Sequence, residues 1–268
     1  MRELDDVEWD AVTLNETMRT TKEEFWVTTG GHVFMASGYD FHTRGVAILL
    51  NKKWTKNIKK FHPINERIAT VDIKHKQIHL RIISAYFPHS GYGDEDVQNM
   101  YTALTELIRE ARDHKLKVII GADCNAQVGI PDEDENTNCM GKFGMKCCNA
   151  RGQWLKSWAT TNNMFLANTC FEKPVDKLIT FMSPSGVPKQ LDYFLISRHI
   201  RQHTKDCEAT KELDMGSDHK ALKLRMAIRP ETRARKKRKC KKNRKMAAEQ
   251  CRAVPREAYS MSERDFAN

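Results

Sequence analysis

Within nine positions, Val118-Ile119-Ile120-Gly121-Ala122-Asp123-Cys124-Asn125-Ala126 passes from wholly apolar to polar. The continuous run Val118-Ile119-Ile120 suits a central strand buried on both faces. An acid and an amide follow directly after Gly121-Ala122. A polar mouth on a buried strand is a place where chemistry can be built, and the same pattern recurs elsewhere in the chain.

Outward from this run, short strands are expected at 10–14, 32–36, 44–50, 67–73, 78–86, 116–121, 164–167, 178–182, 190–197 and 221–226. Ile78-His79-Leu80-Arg81-Ile82 alternates, which suggests a sheet with one buried face. Only two helices are clear. Over 95–114, Val97, Met100, Tyr101, Leu104, Leu107, Ile108 and Ala111 fall on one stripe. A second helix is expected over 149–162, with Trp154, Leu155 and Trp158 inward. The segment 131–150, rich in Asp, Glu, Asn and Gly, reads as a long surface loop. Many strands and few helices give an α+β fold, a two-sheet sandwich flanked by helices.

The chain has 268 residues, 40% of them hydrophobic and 30% charged, so a real core can form and wholesale disorder is excluded. No apolar run approaches the ~20 residues of a membrane span. The acidic start Met1-Arg2-Glu3-Leu4-Asp5-Asp6 lacks a secretory pattern. The expectation is an intracellular protein, nuclear if its basic run acts as an import signal. That run is 229–245, with eleven basic residues and one acid, Glu231; it accounts for the whole net charge of +10. We therefore expect a domain over 1–228 and a basic tail over 229–268. Within the tail, Arg233, Arg235, Lys236, Lys237, Arg238 and Lys239 are candidate phosphate contacts, although such a run also serves as a merely solvated segment. The eight cysteines include no Cys-x-x-Cys pair, so reduced thiols are expected and structural zinc is not.

Polar residues cluster at the expected strand ends: Glu16, Tyr86, Asp123, Asn125, Asp192, Asp218 and His219. Singly, each has a plain structural explanation. A carboxylate caps a turn, Asp123 and Asn125 form an Asx-turn, and Asp192 lies on the outward face of an amphipathic strand. In order, however, Leu14-Asn15-Glu16-Thr17, Gly121-Ala122-Asp123-Cys124-Asn125, Leu191-Asp192-Tyr193 and Gly216-Ser217-Asp218-His219 resemble the endonuclease/exonuclease/phosphatase superfamily, from about Trp9 to Met226. Arg44-Gly45-Val46-Ala47-Ile48-Leu49, Asn162-Asn163-Met164-Phe165-Leu166-Ala167-Asn168-Thr169 and Thr180-Phe181-Met182-Ser183-Pro184-Ser185-Gly186 are similar to endonuclease domains of LINE-type retrotransposons and to craniofacial development protein 2-like relatives.

The resemblance implies a Mg²⁺-dependent phosphodiesterase, with Mn²⁺ as a substitute ion, acting on DNA as an endonuclease and needing no small-molecule cofactor or membrane. It makes Glu16 and Asp218 metal ligands, Asp123 the residue that orients and deprotonates water, and Asn125 its neighbour in the same site. Asp192 would hold the His219 ring, and Tyr86 would donate to a phosphate oxygen. The chain departs from the pattern in three places. The family's first, Asn-bearing strand and its helix are expected to be missing, since only residues 2–8 precede the Leu-x-Glu-Thr strand. Cys124 stands where a bulky apolar residue is common, and His89 where Asn or Thr is usual. Weak activity is expected from the missing strand. Two other readings stay open: a nucleic-acid-binding remnant, and a phosphatase or RNA nuclease of the same superfamily.

Overall fold

The computed structural model describes residues 4–39, 44–132, 137–213 and 216–227. Strands β1 (Ala11–Asn15), β2 (Glu24–Val27), β3 (Val33–Ser37) and β4 (Val46–Leu50) form an antiparallel sheet in the order β1-β4-β3-β2. The remaining strands are β5 (Ile58–Asn65), β6 (Ile68–His75), β7 (Ile78–Tyr86), β8 (Lys117–Asp123), β9 (Met164–Leu166), β10 (Phe181–Met182), β11 (Pro188–Lys189), β12 (Asp192–Ser197), β13 (Thr204–Thr210) and β14 (Ala221–Met226). Six of them make a second sheet, β5-β6-β7-β8-β12-β9, in which only the β7–β8 pair is parallel. The pairs β10–β11 and β13–β14 are separate two-stranded ladders.

Hydrophobic faces explain the layering. Val33, Met35, Ile48 and Leu50 of the first sheet bury against Val71, Ile73 and Ile82 of the second. The two sheets meet closely here: the Thr13 side chain of β1 lies against Gly121 of β8, where an added Cβ would collide with its Oγ1. On its other face the six-stranded sheet packs Val118, Ile120, Tyr193 and Leu195 against helices α1 (Asp94–Asp113) and α2 (Ala150–Thr161). The α1 stripe faces inward as its spacing predicts, with Val97, Met100, Leu104, Ile108 and Ala111 buried. Asp94, Glu95 and Asp96 in its first turn favour the positive end of the helix dipole. Asn149 caps α2 by accepting from Gly152 N at 2.8 Å, and its Oδ1 also accepts from Gln127 N at 3.1 Å, tying the helix to the loop after β8. Among the described residues, no helix is long and apolar enough to cross a membrane.

The α+β sandwich therefore stands, with corrections in detail. The strand expected at 178–182 is only Phe181–Met182, because Leu178 and Ile179 close a turn by donating to Val175 O. Strands β2, β5, β11 and β13 have no counterpart in the sequence-based reading. Trp154 and Trp158 are half-buried rather than fully inward, while Leu155 is fully buried. The segment 229–268, with its candidate phosphate contacts, lies outside the described residues.

One buried charge fastens α1 to the sheet. Arg81 on β7 is fully buried, and its Nε and one terminal nitrogen donate to the Asp72 carboxylate on β6 at 2.7 and 2.8 Å. The other terminal nitrogen donates to Glu110 Oε2 at 2.8 Å and Leu107 O at 3.1 Å, both on α1. Removing one member of such a group strands a buried charge. Arg81→Met is expected to cost about 3–5 kcal/mol in urea unfolding, and Asp72→Leu in the same chain to return much of that loss. Equal losses in the single and double variants would show that packing around Arg81, not its charge, holds the layers.

Candidate active site

Strand register does most of the assembly. The parallel β7–β8 ladder pairs Tyr86 with Asp123, and the antiparallel β8–β12 ladder pairs Asp123 with Asp192. Cross-strand partners share a face, so the three side chains stand in a row. Asp192 is well supported. Thr180 Oγ1 accepts from Leu191 N and Asp192 N at 2.9 and 3.1 Å; Asn168 Nδ2 donates to Asp192 O at 2.9 Å. His219 arrives from the approach to β14. It bridges to Phe181, its ring lies 4.8 Å from the Phe181 ring, and its Nδ1 is 2.9 Å from Asp192 Oδ2.

Asn125 turns the chain just past Asp123. Its backbone N donates to Asp123 Oδ1 at 3.0 Å, and its Nδ2 reaches Phe87 O at 3.0 Å and Asp123 Oδ2 at 3.3 Å. To do so it adopts φ +46°, a left-handed conformation that Asn tolerates better than most residues. Glu16, at the end of β1, also lies in this region at φ +53°. Such backbone outliers concentrate at functional positions. The Tyr86 hydroxyl donates to Glu16 Oε1, joining the end of β1 to the row. Ser84 Oγ completes the junction by donating to Leu14 O at 3.1 Å.

The electrostatics follow from the row. Asp123 is 6% exposed. Burial, and then the neighbouring Asp192 carboxylate, push its pKa well above the usual carboxylate range. For His219 burial works against the charged form, but the Asp192 hydrogen bond and charge outweigh it and raise the pKa. Burial and then Glu16 hold Tyr86 in its neutral, donor form. At neutral pH and without an ion the row thus presents an Asp123 carboxyl that holds its proton, an imidazolium and a phenol.

Of the residues singled out from sequence, Asp123, Asn125, Asp192, His219, Tyr86 and Glu16 are brought into one contiguous network. Asp218 is not among them. It is exposed, accepts from Ser217 Oγ at 3.4 Å, and touches the site only through its charge on His219. Sequence reasoning missed Thr180 and Asn168, whose bonds go to backbone and leave no trace in residue type. It also missed Arg67, whose guanidinium lies 5.2 Å from the Tyr86 ring centre and donates to Tyr86 O at 3.3 Å.

Asp123, Asp192 and His219 offer ligand atoms that all lie within 4.8 Å of one another. Two carboxylates side by side, one of them buried, are a donor set that a hard divalent cation satisfies. The two carboxylates, rather than the protonated imidazole, suit a divalent ion such as Mg²⁺ or Mn²⁺. A proton raised onto Asp123 competes with such an ion, and raising the pH removes this competitor. In the metal-free chain, the His219 contribution is complete below about pH 6.5 and is lost as pH climbs through its raised folded value. Ionising buried Asp123 destabilises the fold in the same alkaline direction. Added Mg²⁺ is therefore expected to raise Tm more at about pH 8.5 than at about pH 6, an increment that Asp123→Asn abolishes. An increment independent of pH would place the ion elsewhere.

The comparisons agree with this architecture. Craniofacial development protein 2 of Bos taurus is 28% identical over 206 residues, which cover 75% of this chain but only 34% of that relative. The 3' phosphatase NExo from Neisseria, solved with product DNA hairpin, superposes with a TM-score of 0.61 at 16% identity, covering 85% of this chain and 92% of its own. The endonuclease domain of TRAS1, a telomere-specific non-LTR retrotransposon, superposes at 0.53 with 14% identity, covering 74% and 81%. At these identities the structures speak for the fold alone. A family model described as endonuclease-reverse transcriptase matches residues 80–223, just over half of the sequence, and the chain belongs to that family, within the endonuclease/exonuclease/phosphatase superfamily.

Proposed function

We propose that this chain is a metal-dependent phosphodiesterase that nicks DNA. The observation that carries the reading is the row Tyr86–Asp123–Asp192 closed by His219. Asp123, fixed by Asn125, would take the proton of an attacking water once a neighbouring cation has offset the burial that raises its pKa. His219, held as imidazolium by Asp192, donates to a phosphoryl oxygen, and the Tyr86 hydroxyl donates to another. Glu16, Asp123 and Asp192 would supply oxygen ligands for a divalent ion such as Mg²⁺ or Mn²⁺, which when bound would offset the charge that builds on the phosphoryl and leaving oxygens. Support for a DNA substrate comes from the DNA hairpin bound to the Neisseria neighbour and from the likeness to the retrotransposon endonuclease domain.

Weak nicking of supercoiled DNA is expected in Mg²⁺ and none in chelator. Asp123→Ala and His219→Ala should each lower the rate about 10²–10⁴-fold, the usual contribution of a positioned acid or base. Nicking that survives Asp123→Ala would remove the reading. The basic run 229–245 would add sequence-independent affinity. If about five of its cations meet phosphates, log K falls with log[salt] at a slope of about −4 to −5. Replacing Arg233, Arg235, Lys236, Lys237, Arg238 and Lys239 by Gln should flatten that slope strongly. An unchanged slope would assign non-specific binding to the folded surface.

A further inference from the structure

Beside the row, three arginines converge on the half-buried Tyr92, two over its ring and one at its backbone carbonyl. The Tyr92 ring has the Arg67 guanidinium 4.7 Å and the Arg44 guanidinium 5.2 Å from its centre. A terminal nitrogen of Arg44 donates to the Tyr92 hydroxyl at 3.0 Å, and one of Arg151 donates to Tyr92 O at 3.3 Å. These residues come from distant parts of the chain. Arg44 precedes β4, Arg67 precedes β6, Tyr92 precedes α1, and Arg151 lies in the first turn of α2. The group continues directly into the candidate centre, because Arg67 also lies over the Tyr86 ring.

Its charge is incompletely balanced. Arg44 pairs with Glu66 at 2.7 Å and Arg151 with Asp94 at 3.0 Å, but Asp94 is 69% exposed and screened by water. Arg67 is 8% exposed and has no carboxylate partner among the described residues. A guanidinium cannot shed its proton, so burying one without a counter-charge is costly unless an anion completes it. Two further donors are left over: Arg44 Nε and one terminal nitrogen of Arg151 are buried without a hydrogen-bond partner among the described residues. The Tyr92 hydroxyl accepts from Arg44 and keeps its own hydrogen to give.

We propose that Arg44, Tyr92 and Arg151, over the uncompensated charge of Arg67, form a second phosphate subsite that holds a backbone phosphate next to the reacting one. Planar, forked donors beside an aromatic hydroxyl match the oxygens of a phosphodiester. The subsite rests on the phosphodiesterase reading and sharpens it: a polymer strand engages both positions, whereas a lone phosphomonoester fills one. It also divides the labour of binding, since the basic run supplies sequence-independent attraction and this rim supplies position.

The test is binding, which does not require turnover. The full chain and its variants are titrated with a fluorescein-labelled DNA duplex in chelator over a range of salt, by anisotropy. Arg44→Gln and Arg151→Gln should each weaken Kd about 3–10-fold and reduce the log–log salt slope by about 0.9, one phosphate contact apiece. Arg44→Lys should keep the slope. Arg225→Gln, which removes a cation paired with Asp206 on β13, should change neither quantity. Weaker binding with an unchanged slope would mean that the arginines only support the fold, and would overturn the subsite. So would slope losses of the same size in Arg225→Gln. A chain that binds as expected but never nicks would keep the subsite and discard the nuclease.

Discussion

Everything polar at the candidate centre depends on the register of β8 against two neighbours of opposite direction. A slip of one residue would turn Asp123 to the other face and put an apolar side chain beside Tyr86 and Asp192. That register is held from several sides. Gly121 leaves the space that the Thr13 side chain of β1 occupies, Ser197 Oγ accepts from Val118 N at 2.8 Å, and the apolar residues of β8 anchor the helix layer. With the ladder fixed, two carboxylates are forced to face one another, and the raised basicity of Asp123 is the electrostatic result.

What the sequence reveals about the fold tracks burial. Strands β4 and β8 carry continuous apolar runs and β7 alternates, so all three are legible at once. Strand β5 carries Lys59 and Lys60, β13 carries Lys205, Asp206 and Glu208, and β2 has only four residues. These are edge or two-stranded elements whose outer face meets water; β5 and β13 are broken by charges, and the run Phe25-Trp26-Val27 of β2 is exposed and too short to mark a strand. Their ladders come from tertiary context, which a local pattern does not contain.

The candidate centre divides in the same way. Asp123, Asn125, Asp192 and His219 stand out because charged or amide groups interrupt apolar strands. Arg44 and Arg67 begin strands, Arg151 begins a helix, and Tyr92 sits in a loop. In those places polar residues are ordinary, and only the fold brings them around one ring. Asp218 errs in the other direction: its neighbour in sequence reaches Asp192, while the backbone turns its own carboxylate outward.

His219 belongs to the approach to a hairpin that pairs with nothing but itself. Strands β13 and β14 hydrogen-bond to each other and lean on the core through Leu222, Leu224 and Met226. Tethers near the histidine include Lys220 N to Thr180 O, Lys220 Nζ to Asp176 O, Met182 N to Asp218 O, the Phe181 ring and the Asp192 contact itself, while Lys173 and Lys177 pair with Asp206 and Glu208 on β13. Such a unit can open sub-globally while the two large sheets remain closed. Amide protons of β14 should then exchange with deuterium ahead of those of β7 and β8. Each such excursion would carry the imidazole away from its carboxylate, so the lifetime of the assembled centre is set by this hairpin rather than by the melting of the domain.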